Sequence, residues 1–315
     1  MIFSSIVTRL AGNPASLLVP RQDMMIRKRY FIFMAETRLK LKRTQVHIVP
    51  ILICHFMAVQ VQPTFAQTEE LPQTEEADSK RYGICLQLVE DNPDEALSYA
   101  RDWNIGRQGL SAARHCEALA LMALDRSREA AILLEQEADS IFTSEGLGDY
   151  ALANRSSLRV DLYSQAALAW ERAGDLDKAY SAISSALLAA GENENLIRTL
   201  YLERGKIQSM RREYPAALED LTRAIEFAPE DTEGYFFRAK VFRYKNNYAA
   251  ARLDIGTALD LDRDNAELLL ESGVLYRVSG EKLKARQEWQ KVIDLYPESD
   301  VATAASENIE LLKID

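Results

Sequence analysis

The chain has 315 residues, with 38 basic and 48 acidic side chains for a net charge of −10, and 47% of its residues are apolar. That balance belongs to a folded globular protein, not to a disordered or collagen-like one. Its acidity argues against wrapping nucleic acid, which needs concentrated Lys and Arg to displace counterions. Three Cys are too few for a disulfide-dense scaffold or a Cys-rich zinc module, and 13 Gly with 9 Pro leave room for long helices.

Charge is unevenly distributed. Residues 1–66 hold nine basic side chains and two acidic ones, so the remainder, with 29 basic and 46 acidic residues, carries a net of −17. Arg38, Lys40, Lys42 and Arg43 precede an apolar run, Val46–Val59, which gives way to Gln60-Val61-Gln62-Pro63 and Thr64-Phe65-Ala66. This order predicts a secretory signal peptide over 1–66, cut after Ala66. It implies export to a periplasmic address, where disulfides persist. An uncleaved anchor is the alternative, and the only route to a membrane. It wants ~20 apolar residues, whereas this run is shorter and contains Pro50. A lipidated Cys54 would follow the bulky Ile53, where a small residue is wanted. Residues 1–33 are unusual ahead of such a leader, and Met34 would start a conventional one. Residues 67–78, with Glu69, Glu70, Glu75, Glu76 and Asp78, read as a flexible acidic linker.

From there to the end the chain repeats itself. Ala217, Ala251 and Ala285 recur at one constant interval, followed four residues on by Leu221, Ile255 and Trp289, and seven on by Ala224, Ala258 and Val292. Twelve residues before them are Gly205, Ala239 and Gly273, and sixteen before them Tyr201, Tyr235 and Leu269. Apolar residues three and four apart predict two amphipathic helices per unit. Small residues recur where helix axes, ~8–10 Å apart, must approach closely. Short links such as Lys245-Asn246-Asn247 and Ser279-Gly280-Glu281 make consecutive helices antiparallel, and Pro229 and Pro297 stop the second helix from running on.

This pattern resembles the tetratricopeptide repeat (TPR) family. Tyr235, Ala239, Phe242, Ala251, Ile255 and Ala258 match it in order, as do Leu269, Gly273, Tyr276, Ala285, Trp289 and Pro297. The resemblance implies an all-α fold over 77–315, a right-handed superhelical solenoid of antiparallel helix pairs. Units 198–231, 232–265 and 266–299 keep the full period, 160–197 is four residues too long, and 77–110 and 111–159 are degenerate. In 111–159, Arg114 and Glu137 replace apolar or small residues, and in 77–110 Trp103 stands where a small one belongs. Degenerate ends suit a solenoid that must be capped, and Val301–Leu312 reads as a C-terminal capping helix starting at Ser299 or Asp300.

Few residues carry chemistry. His115 is the only His after residue 66, and an enzyme built here would have to use it. No metal-ligand spacing and no phosphate loop occur, and no cofactor is implied. Gly146-Leu147-Gly148 lacks the preceding strand of a dinucleotide fingerprint. Cys85 and Cys116, each in the first helix of its unit, form a candidate disulfide; the alternative is two buried thiols. The family resemblance implies a concave groove lined by first helices. Its groove places hold Lys206, Phe236, Lys240, Arg243, Tyr244 and Arg277, a basic and aromatic group in an acidic chain. Such a group suits an acidic segment or a C-terminal carboxylate; the alternative is a set of solubilising charges. The family's carboxylate clamp is not matched, since Lys206, Lys240 and Val274 stand where it wants Asn. The function implied is a non-enzymatic scaffold that binds a protein or peptide, or else a membrane-associated assembly or chaperone-type adaptor.

Overall fold

Local signals set the helix boundaries of the structure, a computed structural model that describes residues 75–105, 111–143 and 154–312. Asx side chains cap many of the helices. Oδ1 of Asn193, Asp231, Asn247 and Asn265 accepts a backbone N–H two or three residues ahead, satisfying a donor that a helix start leaves orphaned. The links within helix pairs close alike: Arg126, Asp175, Glu213, Asn247 and Glu281 each donate N–H to the carbonyl five residues back, at 2.8–2.9 Å. The residue before each of them (Asp125, Gly174, Arg212, Asn246, Gly280) has positive φ. That is the left-handed turn by which helices commonly end.

The described residues form helices α1 (Glu75–Asp91), α2 (Pro93–Asn104), α3 (Ser111–Ala123), α4 (Ser127–Thr143), α5 (Arg155–Arg172), α6 (Leu176–Ala190) and α7 (Glu194–Met210). They continue as α8 (Tyr214–Phe227), α9 (Thr232–Tyr244), α10 (Tyr248–Leu261), α11 (Ala266–Val278), α12 (Lys282–Leu295) and α13 (Asp300–Leu311). No strand occurs among the described residues. From Lys80 onward they belong to one compact unit, and the leader assigned to 1–66 lies outside the described residues. Between α2 and α13 each described helix packs on the next, and α5 also touches α7, α7 touches α9, and α11 touches α13. The fold is an all-α solenoid of stacked helix pairs.

Two length anomalies acquire places. The surplus ahead of unit 198–231 becomes the first turn of α7, which starts at Glu194. The acidic stretch assigned to a flexible linker gives its last four residues to α1, which starts at Glu75. Ala77 is buried there. At the other end, Ser299 Oγ accepts from Ala302 N and opens α13.

The interior is a chain of small cores, each completed by the following unit. Leu202, Ala217, Leu221 and Ala224 gather with Val241 of α9. Ala239, Ala251, Ile255 and Ala258 gather with Leu268 and Leu275 of α11. Leu269, Ala285, Trp289 and Val292 gather with Ala302, Ala305 and Ile309 of α13. Small and large residues interlock across each pair: a Cβ on Gly205 would lie 2.8 Å from Leu221 Cγ, and one on Gly273 would lie 2.2 Å from Trp289 Nε1. Trp289 is fully buried, and its indole N–H donates to the Leu270 carbonyl at 3.0 Å.

Two glycines in helices therefore respond oppositely to one methyl group. Gly273→Ala overfills the α11–α12 contact and is expected to cost ~1–3 kcal/mol in urea unfolding, as is Ala251→Leu in the neighbouring core. Gly256→Ala on α10 meets nothing within 4 Å and is expected to stabilise by ~0.5–1 kcal/mol through helix propensity alone.

Candidate functional site

First helices α5, α7 and α9, with the turn after α7, enclose a cleft of about 510 Å³. Its apolar lining comes from Met210, Tyr214, Phe237 and Tyr244, and its charge from Lys206, Arg212, Lys240 and Glu171. Met210 and Tyr244 stand exactly one repeat apart at the ends of α7 and α9, and both are exposed. Phe236 and Phe237 meet edge-to-face at 5.1 Å. The Lys240 ammonium lies 5.1 and 5.6 Å from their ring centroids, and Lys206 lies 4.9 Å from Phe237. Each lysine thus rests its charge on a ring face.

Cations outnumber carboxylates around the cleft. Lys206 is tied to Glu203 at 3.0 Å on its own helix. Glu171, across the cleft, has its carboxyl pushed up by burial, with Lys206 pulling it back. Lys240 and Arg212 make no ion pair among the described residues. Arg212 also holds φ at +63°, a conformation that costs a side-chain-bearing residue roughly 1–2 kcal/mol. At the equivalent position in the next unit the residue is Asn246, which tolerates that geometry better.

Of the residues that the sequence nominates, Lys206, Lys240 and Tyr244 line this cleft. Phe236 leans on the core of α9 and α10. Arg243 has another occupation: its guanidinium grips buried Glu271 of α11 through Nε and Nη2, and lies 4.9 Å above the Tyr244 ring. It thereby fixes the aromatic wall and ties α9 to α11. Arg277, half-buried near the end of α11, is not among the lining residues. Glu171, Ser209, Met210, Arg212, Tyr214 and Phe237 escape the sequence reading. Met210 shares the register of Tyr244, which was signal enough; Arg212 and Tyr214 lie in and just after a turn.

A polar device joins the helices within pairs. Arg204 grips Asp220 bidentately at 2.7 and 2.8 Å, and Arg238 grips Asp254 at 2.8 Å twice. The two clasps are again one repeat apart. Both aspartates are buried, so each requires its arginine. The two misfits of unit 111–159 form an ion pair, Arg114 Nη1 lying 3.2 Å from Oε2 of buried Glu137 without the hydrogen-bond geometry of those clasps.

The candidate catalytic histidine lies inside the protein. His115 is 1% exposed. Its Nε2 is 2.8 Å from the Gln165 carbonyl oxygen, an acceptor, so Nε2 carries the proton. Nδ1 is then bare and accepts from the Tyr82 hydroxyl at 2.6 Å. This chain of bonds joins α1, α3 and α5. One residue on, Cys116 faces Cys85. Both are fully buried, with Cα atoms 6.2 Å apart, inside the range that a disulfide spans. The Gly146-Leu147-Gly148 stretch lies outside the described residues, and no helix among the described residues is long and apolar enough to cross a membrane.

Searches of protein-family profiles and of curated protein sequences give no match. Solved structures do resemble the chain. BtubC (BKLC) from P. vanneervenii has a TM-score of 0.52 and 16% identity, covering 70% of this chain and 91% of its own. YrrB, titled a TPR protein with an unusual peptide-binding site, gives 0.43 and 18%, covering 66% and 97%. Pseudomonas aeruginosa pilF gives 0.49 and 15%, covering 74% and 98%. At such identities the likeness extends to the fold alone.

His115 makes stability depend on pH. Burial lowers its pKa to about 4, against ~6.5 in an unfolded chain. Above pH 6.5 neither state binds the proton. Between pH 6.5 and 4 the unfolded chain binds it and the fold does not, so stability falls, by about 3 kcal/mol across the window. Urea midpoints at pH 7.5 and 4.5 should differ less for His115→Gln than for the parent.

Proposed function

We propose that the chain is an exported, non-enzymatic scaffold that holds an acidic segment of another protein, or its C-terminal carboxylate, in the cleft between α5, α7 and α9. The observation that carries this reading is the pair Lys240 and Arg212, without an ion pair among the described residues, beside half-buried Phe237 and exposed Tyr244, in a chain that is otherwise strongly acidic. Charge-assisted hydrogen bonds would hold the carboxylates, and Phe237, Tyr244 and Met210 would supply apolar contact. The strained backbone of Arg212 supports the same reading, since it puts a cation at the cleft where the next unit has Asn246.

Export is part of the proposal. It rests on the leader-like residues 1–66 and implies a mature start at Gln67. In that compartment Cys85 and Cys116 would be oxidised, closing a loop across a sequence separation of 31 and contributing ~3 kcal/mol in the loop-entropy model.

Two measurements test the reading. In fluorescence anisotropy with a labelled Glu- and Asp-rich peptide ending in a free carboxylate, Lys240→Ala should weaken binding at least tenfold. Arg212→Asn should weaken it similarly while leaving thermal stability equal or higher; unchanged binding in both variants would refute the cleft. Intact-mass analysis of the exported protein should give a chain starting at Gln67 and lacking two thiol hydrogens, and free thiols would refute the disulfide.

A further inference from the structure

The links between units, at the opposite ends of these helices, build a surface of different character. Phe227, Leu261 and Leu295 end α8, α10 and α12, occupy the same place in successive units, and are 41%, 46% and 44% exposed. A single exposed apolar residue needs no explanation; the same place left open in three consecutive units makes an apolar ladder. Phe227 stacks one face on Tyr201, with centroids 6.2 Å apart and planes 14° apart.

Between the first two rungs runs a groove of about 770 Å³, lined by Phe227, Ala228 and Leu261 and walled by Glu194, Glu230, Asp231 and Asp262. The groove already seats one guanidinium: Arg198, from α7, is paired with Asp231. Glu194 and Glu230 make no ion pair among the described residues, and the Asp262 carboxylate accepts only from the neutral Asn265 amide, at 3.1 Å. Acidic residues continue along the same links as Asp264, Glu298 and Asp300, of which Asp264 is paired with Lys291.

We propose that this edge is a second docking surface, which takes a protein segment whose Lys or Arg side chains alternate with apolar ones. Apolar side chains would cover Phe227 and Leu261, and cations would reach Glu194, Glu230 and Asp262 as Arg198 reaches Asp231. Charge complementarity selects this occupant. The apolar rungs give it something that bare attraction to an acidic chain lacks. The surface is separate from the basic cleft and opposite to it in sign, so no single segment suits both. A chain with both surfaces would bridge an acidic partner and a basic one.

The test uses the full chain and a short labelled peptide of alternating lysine and leucine, with its glutamate–leucine counterpart as control. The lysine peptide should bind and the glutamate peptide should not bind at this edge. Leu261→Ser and the double change Glu230→Lys with Asp262→Lys should each weaken binding at least tenfold, while Lys240→Ala in the cleft and Glu307→Lys on exposed α13 should leave it unchanged. All these residues have exposed or half-buried side chains, and circular dichroism should report an unaltered fold. Loss on charge reversal without loss in Leu261→Ser would reduce the effect to general electrostatics and overturn the proposal. So would equal binding by all variants, or sedimentation showing a self-associated chain that Leu261→Ser dissociates, which would make the occupant a second copy.

Discussion

Everything in this fold depends on helices coming close enough for a side chain of one to enter the backbone groove of another. Gly205 admits Leu221, Ala239 sits in one core with Ile255, and Gly273 admits Trp289. The entering residues range from Leu and Ile to Trp, and the receiving residue is Gly or Ala each time. Dispersion contacts and the area removed from water both scale with that fit. Because the fit is steric, it fixes the spacing and direction of every following helix, and with them the positions of Lys206, Lys240 and Tyr244.

Much of this was legible in the sequence, because close approach leaves a periodic trace. Residues that nest must be small, and in a solenoid they must be small at one interval. The interval located the helix pairs, the link chemistry and the first-helix places that line the cleft. What the sequence hid was polar pairing. Arg243 looks like a groove cation by its place, but its guanidinium belongs to Glu271. Arg114 and Glu137 look like two faults in a decayed unit, but they are one ion pair. A carboxylate on another helix gives no local sign of its partner, since distance through space is set by packing that only the folded chain contains. The Arg204–Asp220 and Arg238–Asp254 clasps could have been noticed, because they repeat at the same interval as the alanines.

The two ends of the helix pairs differ in chemistry for a reason that starts with the backbone. Links within a pair need a residue with positive φ, and Arg212 and Asn246 take that place; basic residues collect around them at the ends of α7, α9 and α11. Links between units begin helices with Asp and Asn caps, which bring carboxylates to those turns. A chain with net negative charge thus gathers Lys206, Arg212 and Lys240 at one of its within-pair turns.

The borrowing of core residues between neighbours has a consequence for how such a chain can change length. The group around Leu221 is finished by Val241, the group around Ile255 by Leu268 and Leu275, and the group around Trp289 by Ala302, Ala305 and Ile309 of α13. An extra repeat-length segment spliced between two interior units would find matching surfaces above and below it. One appended after α13 would meet a helix whose outer side carries Thr303, Ser306, Glu307 and Glu310, all exposed. Interior units thus offer apolar surfaces on both sides, whereas α13 turns a polar side outward.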